Sequence, residues 1–380
     1  MNYVKTPGEA HKTLTERMHY LASGTKYDSC NQSAVCHAFA PDGRCIQLYK
    51  TLLTNYCSGE CTYCPNRCAR DTPRVSLSPD EIVKIVWSFY RRNAVEGLFL
   101  SSGVIGDAEN TSEKQLEVAR KLRAQGFQGY IHMRLMPGTP KYLLEEIADV
   151  ANKFGVNAET INSIDYSEVC PNFDYNKDVL QRLKWTKELI IEKRKEAGYG
   201  GHVIGSNDTQ FIVGAIVEPD RDIIQTVGKF MDKYDLRRPY FMSFDPVPET
   251  PLEHNDPSPQ WREVRLYQIS YLLKDYGLKA KDLDGIYTDT GFLKDQDPKV
   301  LLAQCNPEMF PIDINNASLQ ELLLVPGIGP MSASRIIQAR PLNCEQDLAR
   351  MGVSITRARP YIKIKGRYQT NLSVFMEVCS

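Results

Sequence analysis

A chain of 380 residues is long for one domain and comfortable for two. Its 46 basic and 47 acidic side chains nearly cancel, so no global field announces a polyanion partner and any basic surface must be local. No apolar run is long enough to span a bilayer, and the first seven residues lack the hydrophobic core of a signal peptide, so the reading is a cytoplasmic protein without a membrane partner and with eleven reduced cysteines.

In chain order, Gln47 to Thr54 is strand-like and leads into a cysteine-rich loop. Ser78-Pro-Asp-Glu81 is a capping box with proline at the first helical position, opening a helix to about Asn93. Gly97 to Ser102 reads as a buried strand, Glu113 to Ala124 as a helix, Gly129 to Arg134 as a strand, and Lys141 to Lys153 as a helix. Phe154 to Glu159 is the next strand, followed by a long charged helix from about Asp178 to Ala197. A strand at Thr209 to Ala215, a helix from Asp220 to Tyr234 and a strand at Pro239 to Phe244 complete the alternation. Six strands with intervening helices imply a parallel sheet, either a six-unit open barrel or a flat doubly wound sheet. Asp245 to Leu252 is too proline-rich for an element interior and reads as a loop over the sheet's C-terminal end. A helix follows at Gln260 to Tyr276, residues 280–310 show little periodicity, and a compact helical module begins at Pro311.

Seven cysteines fall between residues 30 and 68, a crowding that points to metal. Cys57, Cys61 and Cys64 have the spacing C-x3-C-x2-C, which offers three thiolates to a four-iron cube and leaves one iron open. The competing reading is a zinc knuckle of Cys57, Cys61, Cys64 and Cys68. Cys30, Cys36, Cys45 and Cys68 form a candidate second metal site, with a thiol donor and plain buried cysteines as the other readings. Ser101-Ser102-Gly103 closes a strand with acceptors suited to an ammonium. Asn157 and Glu159, two apart on a strand, would face one side and want polar partners. Arg134 ends a strand where an anion could meet it, and Cys170 follows the next strand as a candidate hydrogen donor.

Asp313 to Arg340 resembles a helix-hairpin-helix whose hairpin is Val325-Pro-Gly-Ile-Gly329. Its glycines bring bare N–H groups to a helix start, which suits phosphate and reads no base. Residues 331–380 hold 8 Lys and Arg against 3 Asp and Glu, a local excess hidden by the global balance. The candidate nucleic-acid contacts are Val325, Gly327, Ile328, Gly329, Met331, Ser332 and Arg335, with a helical hairpin for protein contacts as the alternative.

The cysteine loop, with Tyr63 before its last cysteine, resembles that of the radical S-adenosylmethionine (radical SAM) enzymes. Lys26-Tyr-Asp, Pro41 to Cys45, Leu53 to Cys57, Pro246 to Leu252, Arg265 to Gln268 and Asp313 to Gly329 together resemble the DNA modification/repair radical SAM proteins with a C-terminal helix-hairpin-helix. That resemblance implies an α/β fold, a partial (β/α)6 radical SAM barrel with a small all-α hairpin domain. Its divisions are an N-terminal cysteine-containing segment at 1–46, the barrel at 47–279, a connecting segment at 280–310 and the hairpin domain at 311–380. It also implies a [4Fe-4S] cluster on Cys57, Cys61 and Cys64, and SAM held by Tyr63, Ser101, Ser102, Gly103, Arg134, Asn157 and Glu159. The implied reaction cleaves SAM to a 5′-deoxyadenosyl radical that modifies or repairs a nucleotide in DNA, with a flavodoxin or ferredoxin as one-electron reductant. The same chemistry on RNA, or a non-catalytic zinc protein that binds DNA, are the alternatives.

Overall fold

The computed structural model describes residues 13–27, 34–39, 45–197 and 205–368, and the chain divides into two compact units. One comprises Met1–Glu218 with Lys229–Glu263, the other Pro219–Gly228 with Val264–Ser380.

In chain order the first unit holds α1 (Leu14–Ser23), β1 (Val35–Phe39), β2 (Cys45–Leu52), α2 (Pro79–Tyr90), β3 (Gly97–Ser101), α3 (Ala108–Ala124) and β4 (Tyr130–Arg134). It continues with α4 (Lys141–Ala148), β5 (Lys153–Gly155), α5 (Ser163–Val169), α6 (Gln181–Ala197), β6 (Ser206–Val213) and, beyond α7 (Asp220–Tyr234), β7 (Arg238–Ser243). The seven strands form a half-barrel sheet in the order β1 to β7; β1 runs antiparallel to β2 and every other pair is parallel. The expected capping box at Ser78 and Glu81 starts α2.

Alternation along the strands sorts the two faces. Tyr49, Leu98 and Ile131 lie side by side in the register and face the helices, with Tyr49 5.3 Å from Phe89 of α2. Lys50, Phe99, His132 and Lys153 are the neighbouring register and line the opposite, concave face. Polar residues on that face are buried, which requires partners. They find them around Asp208: Arg134 Nη1 at 2.5 Å, His132 Nε2 at 2.7 Å and Lys153 Nζ at 2.9 Å.

Several elements differ from the sequence expectation: α1 and α5 have no counterpart in it, and α3 begins at Ala108 rather than Glu113. β1 is an added antiparallel strand, Cys36 opposite Leu48 and Phe39 opposite Cys45. α4 stops at Ala148 rather than Lys153. β5 ends at Gly155 rather than Glu159, because the chain bulges there: the N–H groups of Ala158 and Glu159 both donate to the Gln210 carbonyl, at 3.1 and 2.8 Å. Glu159 takes φ +58°, a left-handed conformation that costs a non-glycine residue. Asn157 and Glu159 are therefore not alternate residues of a regular strand.

In the second unit, residues 280–310 are not featureless. They contain a 3-10 turn at Ala280–Ile286 and a helix at Pro298–Cys305 with buried Leu301 and Leu302. Elements this short carry no readable period. The C-terminal part has a helix at Leu319–Leu324, capped by Ser318 and Glu321, and a second at Pro330–Ala339. A small sheet, Ile312–Asp313, Ile362–Ile364 and Arg367–Tyr368, accompanies these helices. Leu322, Val325, Ile328, Ala333, Ile336 and Ile362 share its core.

Candidate cofactor site and nucleic-acid interface

The cysteine loop leaves the C-terminal end of β2 and is pinned from three sides. Asn55 fixes its start: Nδ2 donates to the Pro73 carbonyl and Oδ1 accepts from the Val75 N–H, each at 2.7 Å. Arg74 spans its interior, donating to the carbonyls of Asn55, Asn66, Arg67 and Arg70 at 2.6 to 3.0 Å. The end of α5 and the turn after it clasp the far side: Thr62 N–H donates to the Val169 carbonyl at 2.9 Å, and Glu60 N–H to Asn172 Oδ1 at 2.7 Å. Sequence reasoning missed Arg74 and Asn172; one more arginine and one more asparagine carry no signal until the loop closes.

Main-chain N–H groups point at the sulfurs. Cys57 Sγ accepts from Gly59 at 3.3 Å and Val104 at 3.4 Å, and Cys64 Sγ accepts from Asn66 at 3.4 Å. Such donors favour the thiolate and tune a cluster. Burial pushes the thiols of Cys57 and Cys64 up, and neighbouring cysteines add to it. A cationic iron group among them would relieve that penalty by deprotonating its ligands. Among the described residues no three side chains of His, Cys, Asp or Glu converge on a single ion.

The turn after β3 lies directly on this loop. Gly103 N–H donates to the Thr54 carbonyl at 2.8 Å, and a Cβ on Gly103 would collide with the Tyr56 carbonyl. Ser101 is buried, and Ser102 Oγ donates to the Gly103 carbonyl at 2.7 Å. Tyr63 packs against Ile212, Ala215, Met242 and Phe244, and lies near Glu159 and Cys170. Asn157 Oδ1 is buried without a hydrogen-bond partner among the described residues, as is the Tyr166 hydroxyl. The Cys170 side chain hydrogen-bonds Cys61, which raises its pKa together with burial. Three thiols, two of them with main-chain N–H donors, a glycine turn against the first and an orphaned amide oxygen two residues before Glu159 fit a cube and SAM. Arg134, 3% exposed, is instead engaged with Asp208 in the concave ion cluster.

The remaining cysteines are dispersed. Cys30 lies outside the described residues. Cys36 packs with Ile46, Leu48 and Phe99, Cys45 is exposed at the start of β2, and Cys68 sits in the cysteine loop with its N–H on the Gly59 carbonyl at 2.8 Å.

In the second unit, Gly327 takes φ +87°, and a Cβ there would come within 2.6 Å of the Ser354 carbonyl. Gly329 caps the helix Pro330–Ala339, whose first-turn N–H groups have no intrahelical acceptor. Lys299 Nζ donates to the Ile328 carbonyl at 2.6 Å and holds the hairpin from behind. Val325 and Ile328 are core residues, and Ser332 Oγ donates to the Gly352 carbonyl. Contacts from these three would be made by main chain. Met331 and Arg335 are exposed beside the glycines.

Residues 51–227 match the Radical SAM superfamily and residues 310–350 the helix-hairpin-helix motif. The chain thus carries a radical SAM domain followed by a helix-hairpin-helix, and the cofactors that go with that domain are a [4Fe-4S] cluster and S-adenosylmethionine. None of the curated proteins compared matches the chain. Among solved structures, it resembles the [FeFe]-hydrogenase maturase HydG at 12% identity and TM-score 0.45, over 59% of this chain and 49% of that one. It also resembles methylornithine synthase PylB at 15% identity and TM-score 0.44, over 83% and 76% of the two chains. The methyltransferase TsrM from Kitasatospora setae is similar at 14% identity and TM-score 0.39, over 54% of this chain and 37% of that one. The chain thus spans about half the length of the HydG structure and less than two fifths of TsrM. Among the described residues no helix is long and apolar enough to cross a membrane.

Proposed function

We propose that this protein is a radical SAM enzyme that modifies or repairs a nucleotide in DNA. The observation that carries the radical SAM part is the Val104 N–H on Cys57 Sγ, which fixes the Ser101-Ser102-Gly103 turn against the first cluster thiolate. Cys57, Cys61 and Cys64 would hold the cube; Tyr63, the serine–glycine turn, Asn157 and Glu159 would hold SAM. When bound, the cluster and SAM supply a 5′-deoxyadenosyl radical, given one electron from a flavodoxin or ferredoxin. The protein's own part is to orient both groups, exclude water and present the substrate.

The Cys170 thiol, hydrogen-bonded to Cys61, is our candidate hydrogen donor within that space. Arg134 serves the concave ion cluster, where its pairing with Asp208 ties β4 to β6. Nucleic acid would be engaged by Gly327, Gly329, Met331 and Arg335 through phosphates, with DNA favoured over RNA. We assign 47–279 to chemistry and 311–380 to nucleic-acid capture, and free thiols of this number suit the cytoplasm. The test is mass spectrometry of DNA and RNA nucleosides after anaerobic incubation with SAM and a reductant. A new nucleoside from DNA supports the proposal; one from RNA alone moves the substrate, and none from either overturns it.

A further inference from the structure

A cavity of about 250 Å³ lies in the first unit beside the cysteine loop. Its walls come from α1, from the C-terminal end of β2, from the chain just after Cys64 and from the loop after β7, through Tyr20, Leu52, Pro65, Asn66, Arg70 and Pro248. These elements meet at the open seam of the half-barrel, since β7 at one end of the sheet does not pair with β1 at the other. Lys50 Nζ donates to the Thr25 carbonyl at 2.8 Å, which places the chain after α1 against the concave face. The cavity is therefore at the lateral entrance of the half-barrel, and Asn66, one of its walls, donates its N–H to Cys64 Sγ.

The chemistry of the walls is specific. The Tyr20 ring, Leu52 and two prolines offer flat apolar surface, and the Tyr20 hydroxyl is fixed by Thr72 Oγ at 3.2 Å. Arg70 stands at the edge, its guanidinium set by the Pro248 carbonyl at 2.9 Å and the Pro65 carbonyl at 3.2 Å, with Glu249 at 3.9 Å. An aromatic and prolyl slot with one guanidinium and one amide at its rim suits a planar heterocycle that carries an anion. The volume is too small for a drug-sized ligand and sufficient for one ring system. The geometry points to a binding site for one unstacked nucleobase of the substrate strand, stacked on Tyr20 with a phosphate at Arg70. This rests on the nucleic-acid reading above. It adds that the strand is engaged beside the cluster loop, in the first unit, as well as at the hairpin. Nucleotides that must reach an enclosed reactive group are extruded from the stack, and an aromatic slot receives them.

The test uses the full-length, cluster-loaded protein and DNA oligonucleotides with a single 2-aminopurine. Wild-type protein should bind them and change the 2-aminopurine emission. Tyr20→Ala should weaken binding by roughly five- to 150-fold, the equivalent of one base–aromatic stack, with little preference among bases. Arg70→Gln should weaken binding and reduce its salt dependence by about one ion. If Tyr20→Ala loses iron or unfolds, Arg70→Gln carries the test, because its side chain stands at the rim. Oligonucleotide binding and emission within twofold of wild type in both variants would overturn the slot. So would competition for it by S-adenosylmethionine alone, which would make it part of the cofactor site. No DNA binding by the wild type would instead defeat the nucleic-acid reading itself.

Discussion

The N–H of Val104 and the sulfur of Cys57, 3.4 Å apart, join the turn after β3 to the loop after β2. Two loops 47 residues apart in sequence are thereby held as one surface at the C-terminal ends of adjacent parallel strands. In parallel α/β sheets that end is where ligands are met.

Replacing Cys57, Cys61 and Cys64 together with alanine should remove the brown absorbance of reconstituted protein and abolish release of 5′-deoxyadenosine from SAM. A cube cannot stay anchored without its thiolates. 5′-Deoxyadenosine formed at the wild-type rate would end the radical SAM reading.

Gly103→Ala should separate cofactor loading from SAM binding. Its Cβ would run into the Tyr56 carbonyl, so the turn must move away from the loop while the three cysteines remain. We expect iron content near wild type and SAM affinity, read by calorimetry, lowered at least tenfold. Unchanged SAM affinity would show that this turn does not contact SAM.

The ion cluster on Asp208 should dominate acid sensitivity. Asp208→Asn leaves Arg134 and Lys153 buried without their carboxylate and should cost about 3–5 kcal/mol in urea denaturation. Burial outweighs the adjacent carboxylate and lowers His132 from 6.5 to about 4. The unfolded chain then takes up the proton first, so stability from the neutral ring is complete above pH 6.5 and is lost as pH falls toward 4. Across that window wild type should lose about 3 kcal/mol more than His132→Gln. Parallel curves for the two proteins would mean that His132 is not held neutral.

Gly327→Val should cost nucleic-acid affinity without touching SAM cleavage. The position needs φ +87° and leaves no room beside the Ser354 carbonyl, so a branched side chain must distort the hairpin. Wild-type affinity should fall with salt and vary little with base sequence. Equal affinity in the variant, measured by fluorescence anisotropy, would assign the hairpin to protein contacts.

Much of this was legible along the chain. The cysteine spacing, the capping box at Ser78 and Glu81 and the glycines of the hairpin are local patterns, and each specifies its element without distant partners. Strands such as Gly97–Ser101 could be read because they are short apolar runs that alternate with helix-like segments. Hidden from that reading were β1, which is held by its antiparallel pairing to β2, and the helix at Pro298–Cys305, which is too short to show a period.

What the sequence by itself determined, then, is the inventory: three spaced thiols, a parallel α/β alternation and a glycine hairpin, all encoded within a few residues of one another. Only tertiary structure decided the partnerships. Arg134, read as an anion site at a strand end, is committed to Asp208 across two strands. Asn157 and Glu159 leave regular strand geometry where both Ala158 and Glu159 turn to one carbonyl of β6. Arg74 becomes the brace of the cysteine loop only when four carbonyls converge on it. Each is a long-range or many-body satisfaction of buried charge and hydrogen bonding, and no local periodicity records which distant group a buried polar side chain will find.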